Sequence, residues 1–457
     1  MAASAQASSP SGGRPSIVRI ELEELLKLSG PVVLARLGIM TMGLSDAIVV
    51  GRFSAEQLSF HALAWAPTAV VLTMAIGLLS GVQVMTARAI GEGRRDQTGA
   101  VLRRGMVYGA WIGLVSMAVL AILGPPGLHL LGLEPRLADG AAPVVVVFSL
   151  SLPTYVVACA ATFWLEALSK PTPAMLIMWG ANLVNLVLLI LLVPGTFGLP
   201  AHGAVGAAWS TFGARAFLLV GLVTYIATMK EAGALGVFRK PERDRVNERT
   251  QRQVGYGAGV SNFFEVAAFS SMNVIAGWIG GLAVAAWTVV LNVTALVFMV
   301  PLGLSTATAV LVGRAYGARE HAGVLRAGAL GFSLTTAFGV VASLAIWPSA
   351  GLIAQAYTTD PAVIAAASGA LVVACLFFLT DALQVVTAQA LRARGDVWAP
   401  SVTHLASYVV VMMPLAWWLA IPRGMGIAGL VWAVVAASLV SAGLLLTRFW
   451  TLGLREG

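Results

Sequence analysis

The stretch GLLSGVQVMTARAIG, Gly77 to Gly91, returns 226 residues later as GLSTATAVLVGRAYG, Gly303 to Gly317, with six of fifteen positions identical. A second echo, at a spacing of 223, sets Gly203, Gly206 and Trp209 against Gly426, Gly429 and Trp432. Self-similarity at a nearly fixed spacing is the mark of a duplicated unit. The 457-residue chain therefore reads as two similar halves in tandem.

Outward from these repeats the sequence is a series of long apolar runs. Hydrophobic residues make up 58% and charged residues only 11% of the chain, where a soluble domain carries about 25% charged residues. Mean hydropathy is +0.87. Runs long enough to cross about 30 Å of hydrocarbon as helices fall near 31–51, 60–86, 105–125, 141–163, 173–194 and 203–228. Six more fall near 254–276, 283–312, 325–347, 361–391, 399–421 and 426–447. They lack the alternation of membrane strands and exceed the roughly 9–11 residues such strands need, which disfavours a barrel. The expected fold is an all-α membrane protein of 12 helices in two six-helix repeats. An even number of spans per half sends both halves into the membrane from the same side, as in transporters built on parallel repeats.

Cutting at those ends places 22 of the 28 Lys and Arg on the N-terminus, the even-numbered loops and the C-terminus. Positive charge gathers on the cytoplasmic side, so both termini are expected there. The formal net charge of +8 records this topology and does not point to nucleic acid. The expected division is a disordered tail (1–19), an N-terminal lobe (20–228), a basic linker (229–253) near anionic lipid, a C-terminal lobe (254–450) and a short tail (451–457). The first sixteen residues lack the apolar core of a cleaved signal, and Glu21 to Leu28 reads as a short amphipathic helix. Short loops and the missing targeting peptide suggest a bacterial inner membrane. Cys159 and Cys375 fall within spans of different halves, which argues against a disulfide framework.

Against this apolar background a few polar groups stand out. Glu265 and Asp381 lie mid-span with no basic residue within nine positions. A carboxylate at that depth costs about 2.5–3.5 kcal/mol by insertion scales, so it usually marks an ion or substrate path. Desolvation disfavours a bare carboxylate, so each acid could hold a proton or a cation, the exclusive choice an exchanger needs. Asn262 precedes Glu265 by three positions, and Gln384 and Phe377 flank Asp381 at i+3 and i−4, sharing its helical face. Asp46, in the first half, lies six residues from Arg52 and could meet water at the outer mouth.

Arg36 is expected to snorkel to the cytoplasmic interface, and Arg215 to pair with Asp46 or with backbone carbonyls. Glu166 and Lys170, at i+4, read as an interface pair. Asn182 and Asn185 share a face of span five, and Asn292 lies in span eight; such amides either glue helices or line a cavity. Asn182, Asn185, Asn262, Asn292, Phe377 and Gln384 are assigned to the substrate cavity. Phe263, Phe264, Phe269, Phe377 and Phe378 could wall it for a flat organic cation. Pro31, Pro67 and Pro301 are possible bends. The chain has no P-loop and no histidine spacing suited to a metal, which excludes ATP hydrolysis by this chain and leaves an ion gradient or a partner as the energy source.

These residues resemble the multidrug and toxic compound extrusion family over nearly all of 20–450. The resemblance is carried by Ser45-Asp-Ala-Ile-Val-Val-Gly, the Gly91 and Gly317 turns, Ser169-Lys-Pro-Thr-Pro-Ala, Leu291-Asn-Val-Thr-Ala-Leu-Val-Phe-Met-Val-Pro and Ala390-Leu-Arg-Ala-Arg-Gly-Asp. Phe263-Phe-Glu and Thr380-Asp-Ala-Leu-Gln-Val-Val are similar to the sodium-coupled bacterial branch. The resemblance implies a V-shaped, monomeric two-lobe exporter without a cofactor. It would exchange Na+ or H+ for small-molecule organic cations, with Glu265, Asp381 and Asp46 binding the coupling ion and the first two forming the Na+ site. That branch often carries a tyrosine where Phe377 stands here, and the lost hydroxyl leaves protons open as the coupling ion. Export of one endogenous metabolite, or flipping of a lipid-linked sugar, are the alternative activities; the latter predicts a basic groove.

Overall fold

The computed structural model describes residues 17–130, 134–240 and 244–456. Its twelve long helical segments are α1 (Ile17–Phe53), α2 (Ala55–Gly91), α3 (Thr98–Leu130), α4 (Pro135–Ala167), α5 (Pro171–Leu192) and α6 (Gly203–Thr228). In the second half follow α7 (Arg245–Ile279), α8 (Gly281–Gly317), α9 (His321–Tyr357), α10 (Pro361–Ala393), α11 (Trp398–Ala420) and α12 (Ile427–Glu456). Eleven of these segments are long and apolar enough to cross a membrane. The exception is α7, whose first turns are charged and whose middle carries Ser261, Asn262 and Glu265. No strand occurs among the described residues.

The segment boundaries follow from local chemistry. Pro135, Pro171 and Pro361 open helices at a position where the missing N–H costs nothing. Ser54, Asp244 and Asp360 cap α2, α7 and α10 by accepting from Gln57, Asn247 and Ala362 backbone N–H groups. Segment α4 is interrupted at Ser151. Segment α11 widens into a π-helical stretch over Leu405–Met412. Helices α1, α2 and α8 pass through Pro31, Pro67 and Pro301 without a break. The amphipathic stretch expected near Glu21 is the first turns of α1, and not a separate helix.

The duplication is written into the turns and the packing. Gly93 (φ 76°) and Arg319 (φ 57°) follow α2 and α8, and Ser169 (φ 58°) and Gly395 (φ 105°) follow α4 and α10, all in the left-handed region. Both pairs are related by the same 226 residues as the sequence repeat. A Cβ on Gly91 would collide with the Arg314 carbonyl, and one on Gly317 with the Arg88 carbonyl. The two motifs that repeat in sequence thus touch each other reciprocally across the seam between halves. Glycine is required there because only a bare Cα lets the backbones approach so closely.

Farther along the seam, a Cβ on Gly77 would sit 2.8 Å from Gly259 Cα, and Asn262 donates to the Thr73 carbonyl at 3.3 Å. Among the described residues, the hydrogen bonds between halves lie between Thr73/Asn262 and the end of the bundle that carries the termini. The halves are therefore joined at the terminus end and part beyond Asn262, giving the V-shaped two-lobe form. The segment after α6 folds onto the first lobe: Leu235 is buried, its carbonyl accepts from Gly99 N–H at 2.8 Å, and Arg103 donates to the Val237 carbonyl at 2.7 Å. Residues 1–16 and 241–243, parts of the tail and linker read from the sequence, lie outside the described residues.

Candidate functional site

Glu265 stands one turn beyond Asn262 on α7, where the lobes separate. Its side chain is half-buried, and among the described residues no donor lies within hydrogen-bond distance of it. Asp381 on α10 is buried and accepts from Gln384 Nε2 at 2.8 Å. Gln384 also donates to the Tyr408 hydroxyl, on the π-helical part of α11. Asp381 and Tyr408 are both close enough to Glu265 to interact with its charge. The structure thus gathers the two carboxyls expected from sequence and adds a phenol.

Phe377 corrects an expectation. It is 2% exposed inside the apolar core with Phe378, Cys375 and Tyr408, so it packs the lobe and does not line a cavity. The hydroxyl that Phe377 cannot offer comes instead from Tyr408, about a span away in sequence. A π-helical turn adds a residue to the ring and re-aims side chains, which is why such turns gather at functional sites. Beside Tyr408, His404 shares a 2.6 Å hydrogen bond with Ser261 and is edge-on to the Tyr408 ring at 5.4 Å. Sequence reasoning missed both residues, since neither is charged and their span carries no acid.

In the first lobe Asp46 is 4% exposed, with Asn185 Nδ2 donating to Oδ1 at 2.7 Å and Thr211 Oγ1 to Oδ2 at 2.9 Å. His61 Nε2 lies 3.9 Å from Oδ2. Asp46 is therefore enclosed by α2, α5 and α6, contrary to the expected contact with water at the outer mouth. Arg215 does not bond it: the guanidinium donates to Ser151 Oγ at 2.7 Å, at the break in α4, and stacks over Tyr155 at 4.7 Å.

Two more expectations fail together. Arg36 does not snorkel, and Glu166 does not pair with Lys170. Arg36 Nη2 meets Glu166 Oε1 at 3.3 Å inside the lobe, and Gln83 Nε2 donates to Glu166 Oε2 at 3.1 Å. Lys170 reaches Glu231 at 2.9 Å instead. A buried carboxylate demands a partner of opposite charge, and that demand outweighs the weak i,i+4 attraction. Of the remaining amides, Asn182 Nδ2 and Asn292 Nδ2 bond carbonyls of their own helices, at 3.0 and 2.9 Å, and Asn292 is exposed. Among the described residues no three His, Cys, Asp or Glu side chains converge as a metal cage.

The duplication matches a known family. The MatE family model matches residues 31–191 and again 258–418. The chain belongs to the MatE family. A probable multidrug resistance protein NorM from Caulobacter vibrioides is 58% identical over 439 residues, covering 96% of this MatE chain and 93% of the relative. The multidrug resistance protein PmpM of Pseudomonas aeruginosa is 31% identical, over 94% and 91% of the two chains. Among solved structures, an outward-facing multidrug resistance MATE transporter of the MOP superfamily superposes with a TM-score of 0.88 at 19% identity, covering 97% and 99%. The eukaryotic MATE transporter AtDTX14 gives 0.86 at 17%, covering 96% and 98%. This MatE chain is a multi-pass membrane transporter of a multidrug efflux family, and not an enzyme.

Proposed function

We propose that this transporter exports cationic, amphiphilic small molecules in exchange for Na+ or H+. Glu265 and Asp381 would bind the coupling cation in the second lobe and Asp46 in the first. The observation that carries the reading is Glu265: a carboxylate without a hydrogen-bonding partner among the described residues, at the point where the lobes part, with Asp381 and Tyr408 beside it. An acid left without partners at membrane depth would be selected against unless something binds it. Carboxylates with neutral oxygens suit a hard monovalent cation or a proton.

In this reading the termini face the cytoplasm of a bacterial cell, the lobes comprise 20–228 and 254–450, and the protein acts as a monomer. The end where the lobes join would then face the cytoplasm, and the cleft would open outward. Cation binding at Glu265 and Asp381 favours release of the drug, and by linkage bound drug weakens cation binding by the same factor. The phenyl rings of Phe263, Phe264 and Phe269, all partly exposed, supply apolar surface for the cargo. A lipid-linked sugar flippase is disfavoured because Arg36 and Arg215, the basic groups of the first-lobe interior, are engaged by Glu166 and by Ser151 with Tyr155.

The test is efflux of a fluorescent organic cation from proteoliposomes under imposed Na+ or pH gradients, with Glu265→Gln and Asp381→Asn alongside. Gradient-driven efflux lost in either variant supports the exchange. Unchanged efflux and ion dependence in Glu265→Gln would sink it.

A further inference from the structure

Among the described residues, Arg392 is the least explained charge. It ends α10, is 3% exposed, and spends one nitrogen on Gln389 Oε1 at 3.1 Å. Its Nε and Nη2 are buried without a hydrogen-bond partner. Among the described residues it forms no ion pair. A buried guanidinium with two idle nitrogens is costly unless another state of the protein supplies an acceptor.

The duplication says where that acceptor is. Position 392 corresponds, at 226 residues, to Glu166 in the first lobe, and Ala393 to Ala167. The correspondence is structural as well, because Arg88 donates to the Ala393 carbonyl at 2.9 Å and Arg314 to the Ala167 carbonyl at 2.7 Å. Glu166 on α4 is bonded to Arg36 on α1. By the same spacing, Arg36 corresponds to position 262 on α7, one turn from Glu265. Each lobe thus places an acid and an arginine on the same pair of helices, with the signs exchanged. In the first lobe the pair is closed at 3.3 Å; in the second it is open.

We propose that Arg392 is the resident cation of the second lobe: it docks on Glu265 when no coupling cation is bound, and the incoming cation displaces it. This rests on the reading of Glu265 as a coupling-ion ligand and adds a competitor built into the chain. The groups around this exchange are Asp381 and Arg392 from α10 and His404 and Tyr408 from α11, with Ser261 on the helix of Glu265 itself. Only Arg392 among them is a permanent cation. Its carbonyl is held by Arg88 of the other lobe at 3.1 Å, so the swing of the side chain takes place in a residue that also closes the terminus end. The arginine keeps the vacated carboxylate neutralised during the return step and prevents transit with a bare charge.

The experiment is drug efflux from proteoliposomes containing the full chain, with external Na+ titrated at fixed pH in one arm and pH varied without Na+ in the other. Arg392→Gln should lower the half-saturating cation concentration at least about fivefold, because the competing charge is gone. Arg392→Lys, which keeps the charge, should stay within about twofold of wild type. Arg392→Met, which keeps the apolar stem, replaces the Gln variant should that fail to assemble. A merely structural arginine would lower the maximal rate and leave half-saturation unmoved. A cation-driven wild type whose half-saturation is unmoved or raised in the Gln or Met variant overturns this proposal alone. A wild type driven by neither gradient overturns the coupling reading and this proposal with it.

Discussion

Replacing Arg88 with alanine should loosen the closed end of the V. The Arg88 guanidinium reaches from α2 into the other lobe, where it bonds the Arg392 and Ala393 carbonyls at 3.1 and 2.9 Å and lies 5.0 Å over the Tyr316 ring. Those carbonyls end α10; Arg392 O also accepts from Gly395 N–H at 3.1 Å, in the turn that closes the helix. Hydrogen bonds to a charged group are worth about 1.5–3 kcal/mol; for this half-exposed side chain we assign about 2 kcal/mol to the whole contact. That shifts the ratio of open to closed terminus end by about 30-fold. Arg314 does the same work in reverse, bonding Ala167 O at 2.7 Å, Ser169 Oγ at 2.9 Å and Glu24 at 2.7 Å, so the double variant should shift it further. The assay is maleimide labelling of Ala87→Cys, a position fully buried on the seam and facing Gly313, in a protein whose own Cys159 and Cys375 are buried. Labelling should accelerate on adding Arg88→Ala and again on adding Arg314→Ala. A labelling rate within about twofold of the Ala87→Cys parent in the double variant would refute the idea that these arginines hold the lobes together.

Gly317→Val should have a comparable effect by a different route, since its side chain would strike the Arg88 carbonyl; overpacking of this kind costs about 1–3 kcal/mol, and transport should fall while the protein still inserts. Asp46→Asn should destabilise the first lobe by about 1–3 kcal/mol, because Asn185 and Thr211 both donate to Asp46 and one would face an amide N–H instead; an unchanged melting temperature in detergent would contradict the enclosed geometry. Tyr408→Phe should raise the half-saturating coupling cation severalfold and cost about 1 kcal/mol of stability, as Gln384 loses its hydroxyl partner; unchanged cation dependence would remove Tyr408 from the ion site. Asp244→Ala should cost about 1 kcal/mol by uncapping α7. The Asp244 carboxyl is held below its usual range by the Asn247 N–H groups, so its contribution is present above the unfolded pKa and lost as pH falls through the lower folded value; melting curves at falling pH should converge for wild type and variant.

The long helices, the duplication and the family were legible in the sequence because they rest on properties that neighbours in the chain already possess. Apolar runs of membrane length leave the backbone no option but helix. The Gly91 and Gly317 turns announce the seam because close backbone approach tolerates no side chain there. Glu265, Asp381 and Asp46 stood out for the same local reason, a carboxyl in an apolar setting. Partners were not legible. The pairing of Arg36 with Glu166, the bond of Thr211 to Asp46, the grip of Arg88 on α10 and the bond of Gln384 to Tyr408 all join residues 24 to 305 positions apart. Local rules favoured Glu166 with Lys170 and Asp46 with solvent, and both lost to the cost of leaving a buried charge unpaired. Arg392 carried a signal that could have been read, since the 226-residue spacing sets it against Glu166. The sequence by itself determined which groups must lie in the membrane; which of them meet, and which are left facing the cleft, was decided by tertiary packing, because electrostatic partnership depends on distance through space.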